Sequence, residues 1–244
     1  MRHVLVSLTL VLLAGTTLAQ VDAAEVLARA MGHLRGGELV ATIELHVTRP
    51  DRVTRYLLEL VTDGDTAGLG RVLTPPRDAG QAFLRGGDNL FVYHPRVGRA
   101  LRLPPSGRSD NFLGSDITYG DFAGRDLERD YQSRVLREDG TTVVLELLAR
   151  PDAPTPFGRV LLTLAADTLT PLEQVFEDQR GAAVRRIEFG DHVESNGRRF
   201  PTTLVVEDLT RAGHETVVRY VRFSFDSTVP ASCFEQRALE VGCM

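Results

Sequence analysis

Residues 42–61, TIELHVTRPDRVTRYLLELV, carry the pattern that decides the fold. The apolar residues Ile43, Leu45 and Val47 alternate with polar residues, which is the period of a strand with one buried face. A Pro-Asp pair then marks a turn, and residues 52–61 form a second strand-like run. This stretch predicts a β-hairpin and directs the search for further strands.

Similar short runs, bounded by Gly, Pro or Asp, continue along the chain. They cover residues 70–73, 81–85, 89–93, 99–103, 131–137, 141–148, 159–164, 172–177, 183–193, 199–209 and 216–225. Asp139-Gly140 and Asn196-Gly197 are strong signals for tight hairpin turns. We predict a mainly β protein with a single antiparallel sheet of about eleven strands, because hairpins dominate and long helices are few.

Three segments depart from this pattern. Asp22 is placed to cap an N-terminal helix, which Gly36-Gly37 would end and whose apolar residues recur at helical spacing: Val26, Leu27, Ala30, Met31 and Leu34. Residues 231–240 predict a second helix, with Ser232 as a possible cap. Residues 104–125 are only weakly patterned, and a stretch of this length is usually functional or contains short helices.

The first residues have the character of an export signal. Residues 1–3 are positively charged, residues 4–13 are almost unbrokenly apolar, and small residues precede a cleavage site after Ala19. We therefore predict a signal peptide at residues 1–19, a single domain at residues 20–244 and a periplasmic location. The alternative is an uncleaved anchor, but ten apolar residues are short of the roughly 20 that a spanning helix needs. No later segment is apolar enough to cross a membrane.

Composition and cysteine usage narrow the function further. The net charge of −5 argues against a nucleic-acid partner, because phosphate binding calls for a basic surface. Cys233 and Cys243 are ten residues apart, and in an exported protein they can form a local disulfide. Two free thiols are the alternative. A metal site is not expected from two cysteines without a second pair or nearby histidines.

The search for catalytic motifs is mostly empty. The sequence has no nucleophile elbow, phosphate loop or dinucleotide fingerprint, and its histidines have no zinc-ligand spacing. Asp63-Gly64-Asp65 resembles the start of a calcium loop, but the twelfth position is Thr74 instead of Glu. Ser115-Asp116 offers a hydroxyl beside a carboxylate, without a histidine nearby in sequence. We therefore predict a protein that is not an enzyme and uses no metal or cofactor.

Several predicted strands are apolar on both faces, and each apolar face of an open sheet needs cover. Residues 143–145, 160–162 and 204–206 are examples. The few helices leave two possibilities: a simply packed core, or a sheet that curls around an apolar groove.

Residues 87–122 carry a resemblance to a known family. They contain an aromatic-rich strand that ends in Tyr93-His94-Pro95, an Arg-containing strand at residues 99–103, and the box Gly-Ser-Asp-Ile-Thr-Tyr-Gly-Asp at residues 114–121. This resembles the LolA-like branch of the outer-membrane lipoprotein-sorting family. Ile117 stands where that family usually has Phe, and Gly120 where it often has an acidic residue.

The resemblance implies a half-open β-barrel whose mouth is covered by helices and whose cavity holds acyl chains, without a cofactor. It implies a monomeric periplasmic carrier of lipoproteins or other lipids, working with a membrane exporter or an outer-membrane acceptor. A non-transporting sensor that binds a membrane protein, an accessory subunit of an exporter and a hydrolase are the alternatives.

Two sets of candidate site residues follow. Alternation within strands nominates a lipid-binding set: Ile43, Leu45, Val47, Phe83, Phe91, Tyr93, Ile187, Phe189, Val221, Phe223 and Phe225. A one-residue error in register would move any of them to the other face. The resemblance nominates a lid motif: Gly114, Ser115, Asp116, Tyr119, Asp121 and Phe122. Ser115 or Asp116 would cap a short helix near Thr118; alternatively, the motif only fastens the loop to the sheet.

Overall fold

The hairpin predicted from residues 42–61 forms the middle of the sheet. A computed structural model describes residues 22–243, apart from residues 36, 65, 123–126, 196 and 226. Strands β1 (Leu39–Arg49) and β2 (Arg52–Thr62) pair antiparallel along their full lengths. Alternate residues of β1 are buried, in agreement with the sequence period. The predicted signal peptide lies outside the described residues, as do Gly36 and Asn196 of the predicted turns.

Eleven more strands complete the sheet. They are β3 (Ala67–Thr74), β4 (Ala82–Gly86), β5 (Asn89–His94), β6 (Arg99–Arg102), β7 (Tyr131–Glu138), β8 (Thr142–Ala149), β9 (Arg159–Ala165), β10 (Pro171–Glu177), β11 (Ala183–Ser195), β12 (Arg198–Asp208) and β13 (Glu215–Ser224). The part of the chain that the structure describes therefore has 13 strands in one sheet. The predicted total of about eleven is wrong: the two runs of the hairpin and the eleven further runs identified in the sequence all become strands.

The strand order divides the sheet into two meanders. It runs β6-β5-β4-β3-β2-β1-β13-β12-β11-β10-β9-β8-β7, so β1 and β13 join the two halves and β6 and β7 are the outer edges. The connection between β6 and β7 must therefore pass from one edge of the sheet to the other. We call its described part, residues 104–122, the lid segment. It contains 3-10 turns at Pro105–Ser109 and Phe112–Gly114 and a short helix, α2 (Tyr119–Phe122).

Helix α1 (Ala23–Leu34) begins as predicted. The side chain of Asp22 accepts a hydrogen bond from the Ala24 amide at 3.0 Å, and Val26, Leu27, Ala30 and Met31 are buried. These residues belong to the large core cluster on one face of the sheet, together with residues of strands from both halves. A second short helix, α3 (Leu127–Asp130), also contributes to this face through buried Leu127.

The C-terminal segment, residues 229–243, covers part of the opposite face. The prediction of one helix over residues 231–240 is wrong: a 3-10 turn at Ala231–Phe234 is separated from helix α4 (Ala238–Val241) by extended backbone at Glu235. Pro230, and not Ser232, occupies the position before the turn. This break lets Cys233 and Leu239 both be fully buried. Cys233 and Cys243 form a disulfide. Among the described residues, no helix has the length and apolar character needed to cross a membrane.

Candidate functional site

A cavity of about 330 Å³ lies on the face of the sheet that carries α1 and the lid segment. Its wall includes Phe83 of β4 and Phe176 of β10, which are seven strands apart in the sheet order. In a flat sheet this separation would be about 34 Å, at roughly 4.8 Å per strand. The sheet must therefore curve around the cavity.

The cavity wall is mostly apolar. Its apolar members are Met31, Leu34, Ile43, Leu45, Leu58, Leu60, Phe83, Phe112, Ile117, Leu127, Phe176, Ile187, Phe189, Leu204, Val206 and Val218. Tyr220 also lines it, and desolvation of its hydroxyl raises the pKa of Tyr220 to about 12. The remaining lining residues are Arg35, Glu59, Asp121, Gln174 and Arg185.

The predicted lipid-binding residues divide between the two faces of the sheet. Five of them line the cavity: Ile43, Leu45, Phe83, Ile187 and Phe189. Val47 is buried in the same core cluster without lining the cavity. Phe223 and Phe225 pack against this cluster through the ring of Phe200, whose centroid is 6.0 and 5.1 Å from theirs.

Phe91 and Tyr93 lie on the opposite face, away from the cavity. In the β4–β5 ladder Phe91 is directly opposite Leu84, whereas Phe83 is opposite Val92. Directly opposed residues share a face of an antiparallel sheet, so Phe91 and Phe83 point to different faces. Phe91 and Tyr93 instead pack against the cluster of Leu84 and Leu239 under the C-terminal segment.

Val221 is also outside the cavity, because of an irregularity in β13. Thr42 pairs with Arg222 and Ile43 with Tyr220, so Val221 is an extra residue opposite β1. Such a β-bulge changes which residues of a strand face the core. Tyr220 therefore lines the cavity, Val221 is 43% exposed, and Phe223 packs against the core on the other side of the bulge.

An aromatic contact links the sheet to the lid segment. The ring of Phe83 is 4.9 Å from that of Phe112, which is 5.5 Å from the ring of Tyr119, and both pairs meet edge to face. Phe83 reaches this position by lying over Gly70 on the neighbouring strand, where an added Cβ would be 1.9 Å from its ring. Gly70 therefore makes room for a ring that forms part of the cavity wall.

Asp116 of the lid motif fastens the lid segment to the sheet. Its carboxylate accepts hydrogen bonds from Arg49 and from the Thr216 hydroxyl, both at 2.8 Å, and its amide donates to the same hydroxyl at 2.9 Å. Arg49 also donates to the Gly114 carbonyl at 2.5 Å. The Asp116 side chain is only 2% exposed, so this is a buried ion pair. The predicted cap by Ser115 or Asp116 is not formed by either residue.

Asp121 provides that cap and a second ion pair. Its carboxylate accepts from the Thr118 amide at 2.7 Å and hydroxyl at 3.0 Å, which caps α2 at its first turn. The two oxygens of Asp121 also accept from Arg185 of β11 at 3.0 and 2.8 Å. Phe122 belongs to α2, but its side chain lies outside the described part of the structure.

Arg185, Gln174 and Tyr220 are among the cavity residues that sequence analysis missed. A signal for Arg185 was present, since it precedes Ile187 and Phe189 at the same alternate positions of β11. That the Arg185 side chain points towards the cavity is known only once the pairing register of β11 with its neighbouring strands is known.

The surroundings of Ser115 argue against its use as a nucleophile. Its hydroxyl is fully buried and hydrogen bonded to the Ile117 amide at 3.1 Å and carbonyl at 3.3 Å. The neighbouring Asp116 has its Oδ1 atom 4.0 Å from Nδ1 of His214. No group of three or more His, Cys, Asp or Glu residues in the described ranges is arranged to hold a metal ion.

Comparison with solved structures identifies the class of fold. A domain assigned to outer membrane lipoprotein sorting from Vibrio parahaemolyticus superposes with a TM-score of 0.80 at 21% identity, covering 89% of this chain and 98% of that one. A LolA superfamily protein from Nitrosomonas europaea gives 0.74 at 22% identity, with 88% and 98% covered. A DUF1329 family protein from Desulfovibrio piger gives 0.81 at 20% identity, with 89% and 97% covered. The chain therefore has a LolA-like fold, and the predicted resemblance is confirmed.

A family model matches residues 64–241 and is described as "-like: Uncharacterized protein". The chain belongs to this family. No curated protein matches the sequence.

Proposed function

We propose that this chain is a periplasmic carrier that holds acyl chains of lipoproteins or other lipids in the cavity under the lid segment. The observation that carries the proposal is the apolar cavity itself, whose volume lies at the lower end of the ~300–1000 Å³ typical of ligand pockets. Its LolA-like fold supports the same function. The protein would bind and release its load without chemistry on it, delivering it towards an outer-membrane acceptor.

The physical basis is the burial of hydrocarbon. Each CH₂ group that leaves water contributes about 0.8 kcal/mol, and this attraction needs no directional contact. A wall of many small apolar contacts therefore suits a carrier, since affinity grows with chain length and falls away as the chain withdraws. Phe112, Ile117 and Asp121 of the lid segment form part of this wall.

Probe binding to the full mature chain tests the proposal. N-phenylnaphthylamine, a neutral apolar dye, should fluoresce on binding, and dodecanol should displace it. Leu204→Trp should weaken dye binding by about tenfold or more, because the larger ring would occupy the cavity that Leu204 lines. Val221→Trp is the matched control. Val221 is exposed on β13, so this variant should bind the dye as the parent does.

Circular dichroism of both variants checks that they are folded. If the parent does not bind the dye, or if Leu204→Trp binds it as well as the parent does, a carrier function of this cavity would be contradicted.

A further inference from the structure

Arg185 is a charged residue in an otherwise largely apolar wall. Its side chain is 8% exposed, its guanidinium is 5.5 Å from the Phe176 ring centroid, and Gln174 lines the same part of the cavity from β10. A buried cation must be paired, because desolvation of an isolated charge is costly. In this structure the pair is made by the carboxylate of Asp121.

The geometry of this pair shows what Arg185 can bind. Two guanidinium nitrogens meet the two carboxylate oxygens of Asp121, which is the planar fork arrangement that arginine forms with carboxylates. The third guanidinium nitrogen, Nε, is buried and has no hydrogen-bond partner among the described residues. Arg185 therefore has capacity for another acceptor inside the cavity.

The two halves of the pair differ in how firmly they are held. Arg185 belongs to β11, a strand of 13 residues that is paired on both sides, with β10 and β12. Asp121 belongs to α2, which has four residues, and the same carboxylate caps that helix through Thr118. Removing Asp121 from Arg185 would therefore disturb the lid segment and leave the sheet intact.

We infer that Arg185 is the headgroup site for a single-chain amphiphile with a carboxylate head, a fatty acid anion, whose carboxylate replaces that of Asp121. This inference rests on the proposed carrier function and specifies its ligand class. The exchange keeps Arg185 paired with one negative charge, and the hydrocarbon chain fills the apolar part of the cavity. Asp121 moves towards solvent, so entry of the ligand loosens α2.

The size of the cavity agrees with one chain of moderate length. A volume of about 330 Å³ lies at the lower end of the ~300–1000 Å³ of ligand pockets, which suits one single-chain ligand. Dodecanoate is therefore a suitable probe, and dodecanol, with the same chain and a neutral head, is its matched comparison.

Displacement of N-phenylnaphthylamine by these two compounds tests the inference, with dodecanoate kept below its critical micelle concentration and dodecanol below its solubility limit. Dodecanoate should displace the dye at about tenfold lower concentration than dodecanol, because its carboxylate can take over the bonds from Arg185 to Asp121 and also accept from Nε, whereas a neutral hydroxyl cannot replace the counter-charge. In Arg185→Gln the two compounds should become equal, with dodecanol unchanged. In Asp121→Asn, which removes the competing carboxylate charge, dodecanoate should bind more tightly and dodecanol should not change.

Arg186→Gln is the matched control on the same strand. Arg186 points to the other side of β11, where it pairs with Glu207 at 3.1 Å and Glu173 at 3.5 Å. The Arg186→Gln variant should therefore retain the full preference for dodecanoate. If Arg185→Gln does not fold, Asp121→Asn still decides the question. Hydrogen exchange of residues 112–122 should also increase with dodecanoate and not with dodecanol.

The outcomes separate this inference from the proposed function. Equal displacement by both compounds in the parent, or a preference that Arg185→Gln and Asp121→Asn leave unchanged, would overturn the headgroup site while dye binding still supported a carrier. Displacement by acetate as effective as by dodecanoate would overturn the assignment to a fatty acid. Failure of the parent to bind the dye at all would instead contradict the carrier function.

Discussion

The lid segment and the C-terminal segment each cover one face of the same sheet. Both bury apolar side chains, such as Phe112 of the lid segment against Phe83, but the lid segment is also held by buried ion pairs. Buried ion pairs anchor the lid segment, through Asp116 to Arg49 and through Asp121 to Arg185. The C-terminal segment is held by apolar burial and a disulfide: Leu239 is fully buried against the sheet, and Cys233 is bonded to Cys243. A cavity remains under the lid segment, lined mainly by apolar groups.

This difference matters because the two forces respond differently to a ligand. An ion pair can exchange one anion for another and remain paired, so a segment held in this way can be released by a suitable ligand. Apolar burial offers no such exchange, and lifting Leu239 from the sheet would return its whole side chain to water. We therefore expect the lid segment to be the part that moves and the C-terminal segment to be a fixed cover.

The largest effect is expected from removing a partner of the buried Arg49–Asp116 pair. Asp116→Ala should lower the free energy of unfolding by about 3–5 kcal/mol, because it leaves a largely buried arginine without its counter-charge. Urea denaturation measures this loss. Asp51→Ala is the control, since its pair with Arg52 is 71% and 67% exposed and should contribute under about 1 kcal/mol. Equal losses in the two variants would contradict a buried anchor at Asp116.

Reduction of the disulfide should have a smaller effect that is confined to stability. Opening the loop between Cys233 and Cys243, which are ten residues apart, should cost about 2–3 kcal/mol through the entropy gained by the unfolded chain. Dye binding should stay the same, because the C-terminal segment lies on the face away from the cavity. A clear loss of dye affinity on reduction would show instead that the two faces are coupled. The double variant Cys233→Ala/Cys243→Ala should not respond to reductant.

The smallest effect concerns Tyr220 in the cavity wall. Its pKa rises from 10.0 to about 12 in the folded protein. The contribution of the neutral Tyr220 side chain to folding stability is therefore complete below pH 10 and is lost as the pH rises towards 12. Between these values the unfolded chain releases the proton and the folded chain keeps it, which should lower stability by about 1.4 kcal/mol per pH unit. Denaturation of the parent and Tyr220→Phe at pH 10 and 11 measures the difference. Identical slopes would mean that this hydroxyl is not desolvated.

Part of the cavity wall could be anticipated from strand periodicity. Ile43 and Leu45 of β1 and Ile187 and Phe189 of β11 line it, because each pair occupies alternate positions of a long regular strand. Periodicity failed for Val221, where a β-bulge inserts one residue. It also failed to relate strands to one another. Phe83 and Phe91 each occupy an alternating apolar position of a strand, but only the pairing of Phe91 with Leu84 shows that they point to opposite faces of the sheet.

The sequence by itself determined the local elements: the capped first helix, the positions of the strands and most of their tight turns. These depend on the spacing of apolar residues and on turn residues, which act over a few positions of the chain. The tertiary structure alone decided that β1 pairs with β13, that the lid segment spans the open edges, and that Arg185 meets Asp121, 64 residues away. Such contacts depend on sheet register and curvature, which bring distant residues together and which no local pattern specifies.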